Sequence, residues 1–273
     1  MNLQTFTPEE EHITQIRSQL QRFVEEKMPR EKRREWDQEH TWPRDIFKEI
    51  ADMGLIGLTI PEEYGGAGQD LVAAVAVIEE LAQAGSFLAG PYIHAAFYGG
   101  MNISENGSGK QKENLLPKIA RGELLLSYGL SEPNVGGDLA SVETRAEKQG
   151  NEIVVNGAKR WCTGADWSDY IYCLVRSGST DARYKNLSML LVPTDAPGIT
   201  MQPIEHVNLR YTASMDVYFD NVHLNEDAIV GGPEMWNRGW ELLAGRALDV
   251  EKIEISACAY GTARAAVEEA WQY

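Results

Sequence analysis

Gly150-Asn151-Glu152-Ile153-Val154-Val155-Asn156-Gly157-Ala158-Lys159-Arg160-Trp161-Cys162-Thr163 lies near the middle of a 273-residue chain, and its turn signals decide the architecture. Gly150-Asn151 and Asn156-Gly157 are both strong two-residue hairpin signals, because such residues accept the left-handed backbone of a tight turn. They link residues 142–148, 152–155 and 159–162 into an expected meander. Residues 170–175, 188–192, 199–205 and 215–219 are further strand candidates. Several short strands in series, with few helical runs between them, indicate an antiparallel barrel or sandwich.

Working outward, the character is helical on both sides. Thr7-Pro8-Glu9-Glu10 is a capping box with proline at the first helical position. Ile13, Ile16, Leu20, Phe23 and Val24 follow as one apolar stripe, and Pro29 ends it. Pro43 opens another helix, with Ile46, Ile50 and Met53 on one face and Gly54 as its stop. Residues 71–84 are apolar on nearly every face, which places that helix at the centre of a bundle. Residues 110–120 read as a further amphipathic helix. The helical period returns after Pro233 and runs to Tyr273 without a stop signal. The expectation is an α+β chain: an N-terminal helical bundle over 1–123, a central antiparallel β-barrel or sandwich over 124–232, and the start of an incomplete C-terminal helical bundle over 233–273.

Lys plus Arg is 25 and Asp plus Glu is 41, a formal charge of −16. Such a balance argues against general binding of nucleic acid or anionic membrane, which needs clustered cations. Cys162, Cys173 and Cys258 form no CxxC pair, so a reducing cytoplasmic location is expected. The start, MNLQTFTPEEE, has neither the basic nor the apolar region of a secretory signal. The most apolar stretch is interrupted by Glu79, Glu80, Gly85 and Pro91, too soon for a membrane span. The five histidines show no metal-ligand spacing, and no Walker loop, nucleophile elbow or dinucleotide fingerprint occurs.

Three places can carry chemistry. In 128–138 an apolar strand enters a hydroxyl, a proline and Gly136-Gly137, where the backbone can approach a flat or phosphorylated ligand; a plain polar turn gives the same pattern. Trp161 and Thr163, two apart on a strand, share a face and offer a ring and a hydroxyl to one ligand; a half-buried Trp beside a Thr is the ordinary alternative. On a helical wheel from Trp240 to Gly261, Trp240, Leu243, Ala244, Ala247, Leu248, Ile255 and Cys258 form one broad apolar arc, with Arg246, Asp249 and Lys252 opposite. Glu251 and Glu254 fall inside that arc. Burial raises a carboxyl pKa, the setting for a general base acting on a weakly acidic C–H, whereas a face meeting solvent or a cationic partner is the competing reading.

Together these residues resemble the acyl-CoA dehydrogenase family. Residues 54–66 (GLIGLTIPEEYGG) look like its N-terminal signature; Leu130-Ser131-Glu132-Pro133 followed by Gly136, Gly137 and Asp138 resembles its "TEPxAGSD" segment. Residues 156–163 are similar to "NGxKxWIT", and Phe219-Asp220-Asn221-Val222-His223-Leu224 to "FxDVxVP". The resemblance implies an FAD enzyme that oxidises the Cα–Cβ bond of an acyl-CoA thioester, a glutamate removing the α-proton while hydride passes to flavin N5. It implies FAD contacts at Tyr128, Leu130, Ser131, Gly136, Gly137, Trp161 and Thr163. It implies substrate contacts at Gly137, Asp249 and Lys252, and the base at Glu251, the position used by branched-chain and some long-chain members. Arg210 occupies the arginine of a "GxRxS" stretch. Electron-transferring flavoprotein is the implied acceptor, and a homotetramer or homodimer the implied assembly of a full-length chain, of which this one is expected to be a truncated form. Flavin-dependent monooxygenation, nitroalkane oxidation and a non-catalytic fragment are the alternatives.

Overall fold

In the computed structural model, which describes residues 9–207 and 212–273, seven α-helices precede the first strand. Thr7, Pro8 and Arg210 lie outside the described residues. The helices are α1 (Glu11–Lys27), α2 (Arg30–Glu39), α3 (Arg44–Asp52), α4 (Leu71–Ala84), α5 (Ser86–Ile93), α6 (Asn102–Asn106) and α7 (Gly109–Ala120). The apolar stripe of α1 buries Ile13 and Leu20. Helix α4 is wrapped by α1 and α5, which is why it tolerates Ala, Val, Ile and Leu on nearly all sides. Asp70 caps it, its Oδ1 accepting from Ala73 N at 2.9 Å. Helix α7 opens with a reciprocal Ser108–Gln111 capping box that the sequence reading passed over.

A π-helix, His94–Met101, joins α5 to α6. Its turns close i→i+5 hydrogen bonds in place of i→i+4 ones. Here the Thr59 hydroxyl donates to Ala96 O. Gly100 permits that approach, since a Cβ there would come within 2.6 Å of the hydroxyl.

Seven strands among the described residues form one curled sheet: β1 (Leu126–Gly129), β2 (Arg145–Gln149), β3 (Glu152–Thr163), β4 (Tyr170–Arg176), β5 (Leu187–Pro193), β6 (Ile199–Ile204) and β7 (Ser214–Asn225). The order is β1-β4-β2-β3-β7-β6, with β5 also on β4. Strand β4 reads as a continuous apolar run because both faces are covered. Ile171, Cys173 and Val175 enter the sheet's own core, while Tyr172 and Leu174 join the core shared with the helices.

Three expectations need correction. First, Asn156-Gly157 is not a hairpin turn. Strand β3 runs unbroken beside the equally long β7, with a register shift between Val155 and Gly157. Only Gly157 needs a positive φ, +141°, and Asn156 Oδ1 accepts from Asn221 N of β7 at 2.8 Å, so the two strands bend together at a bulge. Second, the sheet is not purely antiparallel: β1 pairs parallel with β4, and Arg145 of β2 pairs parallel with Arg176. Third, the stretch from Trp240 to Gly261, placed on a single helical wheel, is not one continuous helix. It breaks at Ala244-Gly245 into α8 (Gly239–Leu243) and α9 (Arg246–Gln272). The wheel phase therefore drifts, and Ile255, placed in the apolar arc, is 55% exposed.

Helix α9 packs mainly on α4. At Gly261 the two backbones approach so closely that a Cβ would meet Glu79 O at 2.3 Å. No helix among the described residues is long and apolar enough to cross a membrane.

Candidate active site

Strand β3 leaves its register with β7 a second time, between Lys159 and Cys162. Trp161 stands on that irregularity at φ +62°, a region that side-chain-bearing residues rarely occupy, and the residue is 53% exposed. Its ring lies 5.2 Å from the Arg160 guanidinium. The Thr163 hydroxyl is fixed 2.8 Å from the Ser214 hydroxyl of β7.

Beneath this stretch, Lys159 is fully buried. Its Nζ donates to Leu130 O at 3.1 Å and to Glu132 Oε1 at 2.8 Å. Burial pushes the Glu132 carboxyl up, but Lys159 and hydrogen bonds from Glu143 and Thr144 outweigh it and hold the group below its ordinary range. Arg160 N donates to Ser131 O at 2.8 Å. The segment after β1 is thus pinned to β3 by both its carbonyls and its acid.

A cavity of about 220 Å³ opens above these contacts, lined by His94, Tyr98, Tyr128, Leu130, Ser131, Arg160, Trp161, Thr163 and Glu251. Six of the residues singled out in the sequence, Tyr128, Leu130, Ser131, Trp161, Thr163 and Glu251, therefore share one space. Four do not line it: Gly136 and Gly137 lie on an exposed loop, and Asp249 and Lys252 form a 2.9 Å ion pair on the exposed side of α9. A larger cavity, about 360 Å³, lies against α7 and the ends of β5 and β7 and contains none of these residues.

His94, Tyr98 and Arg160 were not singled out. The first two lie in a wholly buried run with no amphipathic contrast, so only their tertiary partners reveal which face meets the cavity. Both belong to an aromatic row. Trp42, Trp167, His94, Tyr98, Tyr128 and Tyr172 follow one another at centroid spacings of 5.0, 5.0, 4.8, 3.7 and 5.7 Å, with Tyr98 and Tyr128 stacked within 11° of parallel. His94 Nδ1 donates to Leu126 O at 2.9 Å, and burial lowers the imidazole to about 4, so the ring is neutral. The Asn102 amide donates to the Tyr128 hydroxyl.

Glu251 brings the one carboxylate among the lining residues. Burial raises its pKa, and a hydrogen bond donated by the Tyr98 hydroxyl partly offsets that rise. Glu254, one helical turn further on, is 1% exposed. Burial, then the nearby Glu251 charge, push its carboxyl up to about 9.

The molecule thus belongs to a class in which a helical bundle and a curled sheet enclose a small polar cavity, closed by a later helix that presents a basic carboxylate. Residues 9–123 match the acyl-CoA dehydrogenase N-terminal domain and residues 127–222 the acyl-CoA dehydrogenase middle domain, and the chain belongs to that family. A probable acyl-CoA dehydrogenase, YngJ, of Bacillus subtilis is 32% identical over 238 residues, covering 87% of this chain and 62% of the relative. The chain thus spans about three fifths of that protein's length. A glutaryl-coenzyme A dehydrogenase solved as its glutaryl-CoA complex superposes with a TM-score of 0.91 at 26% identity, over 98% of this chain and 68% of that one. A glutaryl-CoA dehydrogenase from Mycobacterium smegmatis, solved with FADH2, gives 0.84 at 25% identity, over 97% and 66%.

Proposed function

We propose that this chain carries the flavin and thioester sites of an FAD-dependent acyl-CoA dehydrogenase, with Glu251 as the base that removes the α-proton. One observation carries the reading: a carboxylate with raised proton affinity shares a cavity with an exposed indole and the Thr163 hydroxyl.

The residues present fit a flat, hydrogen-bonding ring system. Trp161 offers an open aromatic face, Thr163 a hydroxyl held in place by Ser214, and Tyr128, Leu130 and Ser131 the facing wall. Bound there, FAD would supply the acceptor for the hydride leaving the substrate Cβ. Gly136 and Gly137 have no atom within 4 Å of where a Cβ would stand, so their loop can approach a ligand closely. We assign Gly137, Asp249 and Lys252 to the acyl-CoA. Lys252 offers a point charge rather than a fork, so its contact with a phosphate would be monodentate.

The chemistry of Glu251 follows from its surroundings. A carboxylate removed from bulk water is a stronger base than one in solvent, and proton abstraction next to a thioester needs that strength. Tyr98 fixes its position, and the buried aromatic row keeps water from its inner side. Electron-transferring flavoprotein is the proposed oxidant of the reduced enzyme.

Titration of the flavin-free protein with FAD tests the reading. Quenching of tryptophan fluorescence and a shifted flavin spectrum are expected, with affinity falling up to about tenfold in Trp161→Ala, the loss of one ring-stacking contact. A protein that takes up no FAD overturns it.

A further inference from the structure

Two glutamates on packed helices are almost completely enclosed, and the fold treats them oppositely. Glu80 of α4 receives Arg17 Nη1 at 2.8 Å, Gln21 Nε2 at 3.0 Å and Gln83 Nε2 at 2.9 Å, with Arg264 Nη1 at 3.5 Å. Glu254 of α9 has no ion-pair partner among the described residues, and its Oε2 has no hydrogen-bond partner. A lone ionised carboxylate cannot persist in such a place; the group keeps its proton instead.

The groups that face Glu254 reinforce this. On its own helix the neighbour is Glu251, an acid, with the half-buried Cys258 a turn further along. From α5 comes the buried Tyr92, whose hydroxyl is committed to Leu55 O, and from the π-helix comes Tyr98, committed to Glu251. The ionisable groups of α4 and its cap are engaged elsewhere: Asp70 with His12, and Glu79 and Glu80 with Arg17. On α8, Glu241 pairs with Arg238 at the surface. None of these neighbours supplies positive charge to Glu254.

We propose that Glu254 is a positioning residue, a protonated acid that confines the single negative charge of the Glu251–Glu254 pair to Glu251. The asymmetry comes from geometry. Glu251 borders the cavity and accepts the Tyr98 hydrogen bond, whereas Glu254 is sealed behind it. Two carboxylates this close titrate as a pair, so the proton that one holds decides the charge of the other. With Glu254 neutral, Glu251 stays ionised and available as an acceptor. Once Glu254 ionises, a second buried charge opposes it.

The function given to Glu251 rests on the dehydrogenase reading, but the protonation state does not, so the deciding measurement uses no acyl-CoA and no turnover. Infrared titration of the protein should show a protonated-carboxyl band at pH 7 that vanishes with a midpoint near 9. The band should be absent at pH 7 in Glu254→Gln and retained in Glu251→Gln, where the midpoint should move down because the neighbouring charge is gone. A band that survives in Glu254→Gln, or disappears in Glu251→Gln, puts the proton elsewhere and overturns the proposal. If Glu254→Gln fails to fold, the midpoint shift in Glu251→Gln decides alone: an unchanged or raised midpoint refutes the pairing. In FAD-loaded enzyme, exchange of the thioester α-hydrogen with D2O should lose its alkaline limb in Glu254→Gln and keep its acid limb. Identical profiles would refute the positioning role while leaving Glu251 as base.

Discussion

At Glu251, burial raises proton affinity and the Tyr98 hydroxyl lowers it. A hydrogen bond donated to a carboxylate favours its charged form. Tyr98→Phe should therefore move the acid limb of flavin reduction upward, read from its pH dependence. Glu254 gives a stability prediction with the opposite feel to a paired acid. Its pKa is raised in the fold, from 4.5 to about 9, so the native state binds a proton that the unfolded chain has released across that window. Native stability is full below the lower value and declines by roughly 1.4 kcal/mol per pH unit toward the upper one. In Glu254→Gln that decline should be absent. Its advantage over the wild type in urea unfolding should be negligible near pH 4.5 and grow toward pH 9. The wheel reading placed both acids on the buried side correctly. What it could not contain was which acid has a hydroxyl beside it, because Tyr98 is 153 positions earlier (251 − 98).

Among the elements, β3 carries most of the site, and it was only partly legible. Its apolar residues and the presence of Trp161 and Thr163 on one side are legible in the sequence, but its length is not, since the turn signal at Asn156-Gly157 divides it into 152–155 and 159–162. The means were different: Trp161 reaches the cavity from a register irregularity with a positive φ, not from a regular pleat. Asn156-Gly157 carries the same residues whether a strand turns back or merely bends, and only the long partner β7 decides between the two. The Lys159–Glu132 pair is the element's internal anchor, joining β3 to the segment that follows β1. Lys159→Met would leave Glu132 buried without its cation, a loss of roughly 3–5 kcal/mol in chemical denaturation. Replacing both partners together by apolar residues should recover most of that loss.

On the scale of the whole molecule, the aromatic row from Trp42 to Tyr172 ties the helical bundle to the sheet, and the cavity opens along it. Helix α9 closes the other side, held on α4 by small residues such as Gly261 and by the Arg264–Glu80 contact. The sequence of helices, sheet and helices was readable because the hydrophobic period changes from helical to alternating and back. The parallel pairing of β1 with β4 was not, since strand neighbours distant in sequence leave no local trace. The same holds for His94 and Tyr98: residues in a uniformly buried run declare no face until their partners are in place. The account converges on one carboxylate, and the most direct measurement is anaerobic mixing of FAD-loaded protein with an acyl-CoA, followed by flavin absorbance. The wild type should bleach, and Glu251→Gln should bind FAD equally well yet bleach slower by about 10²–10⁴-fold, the range for loss of a general base. Bleaching of Glu251→Gln at the wild-type rate would contradict the assignment.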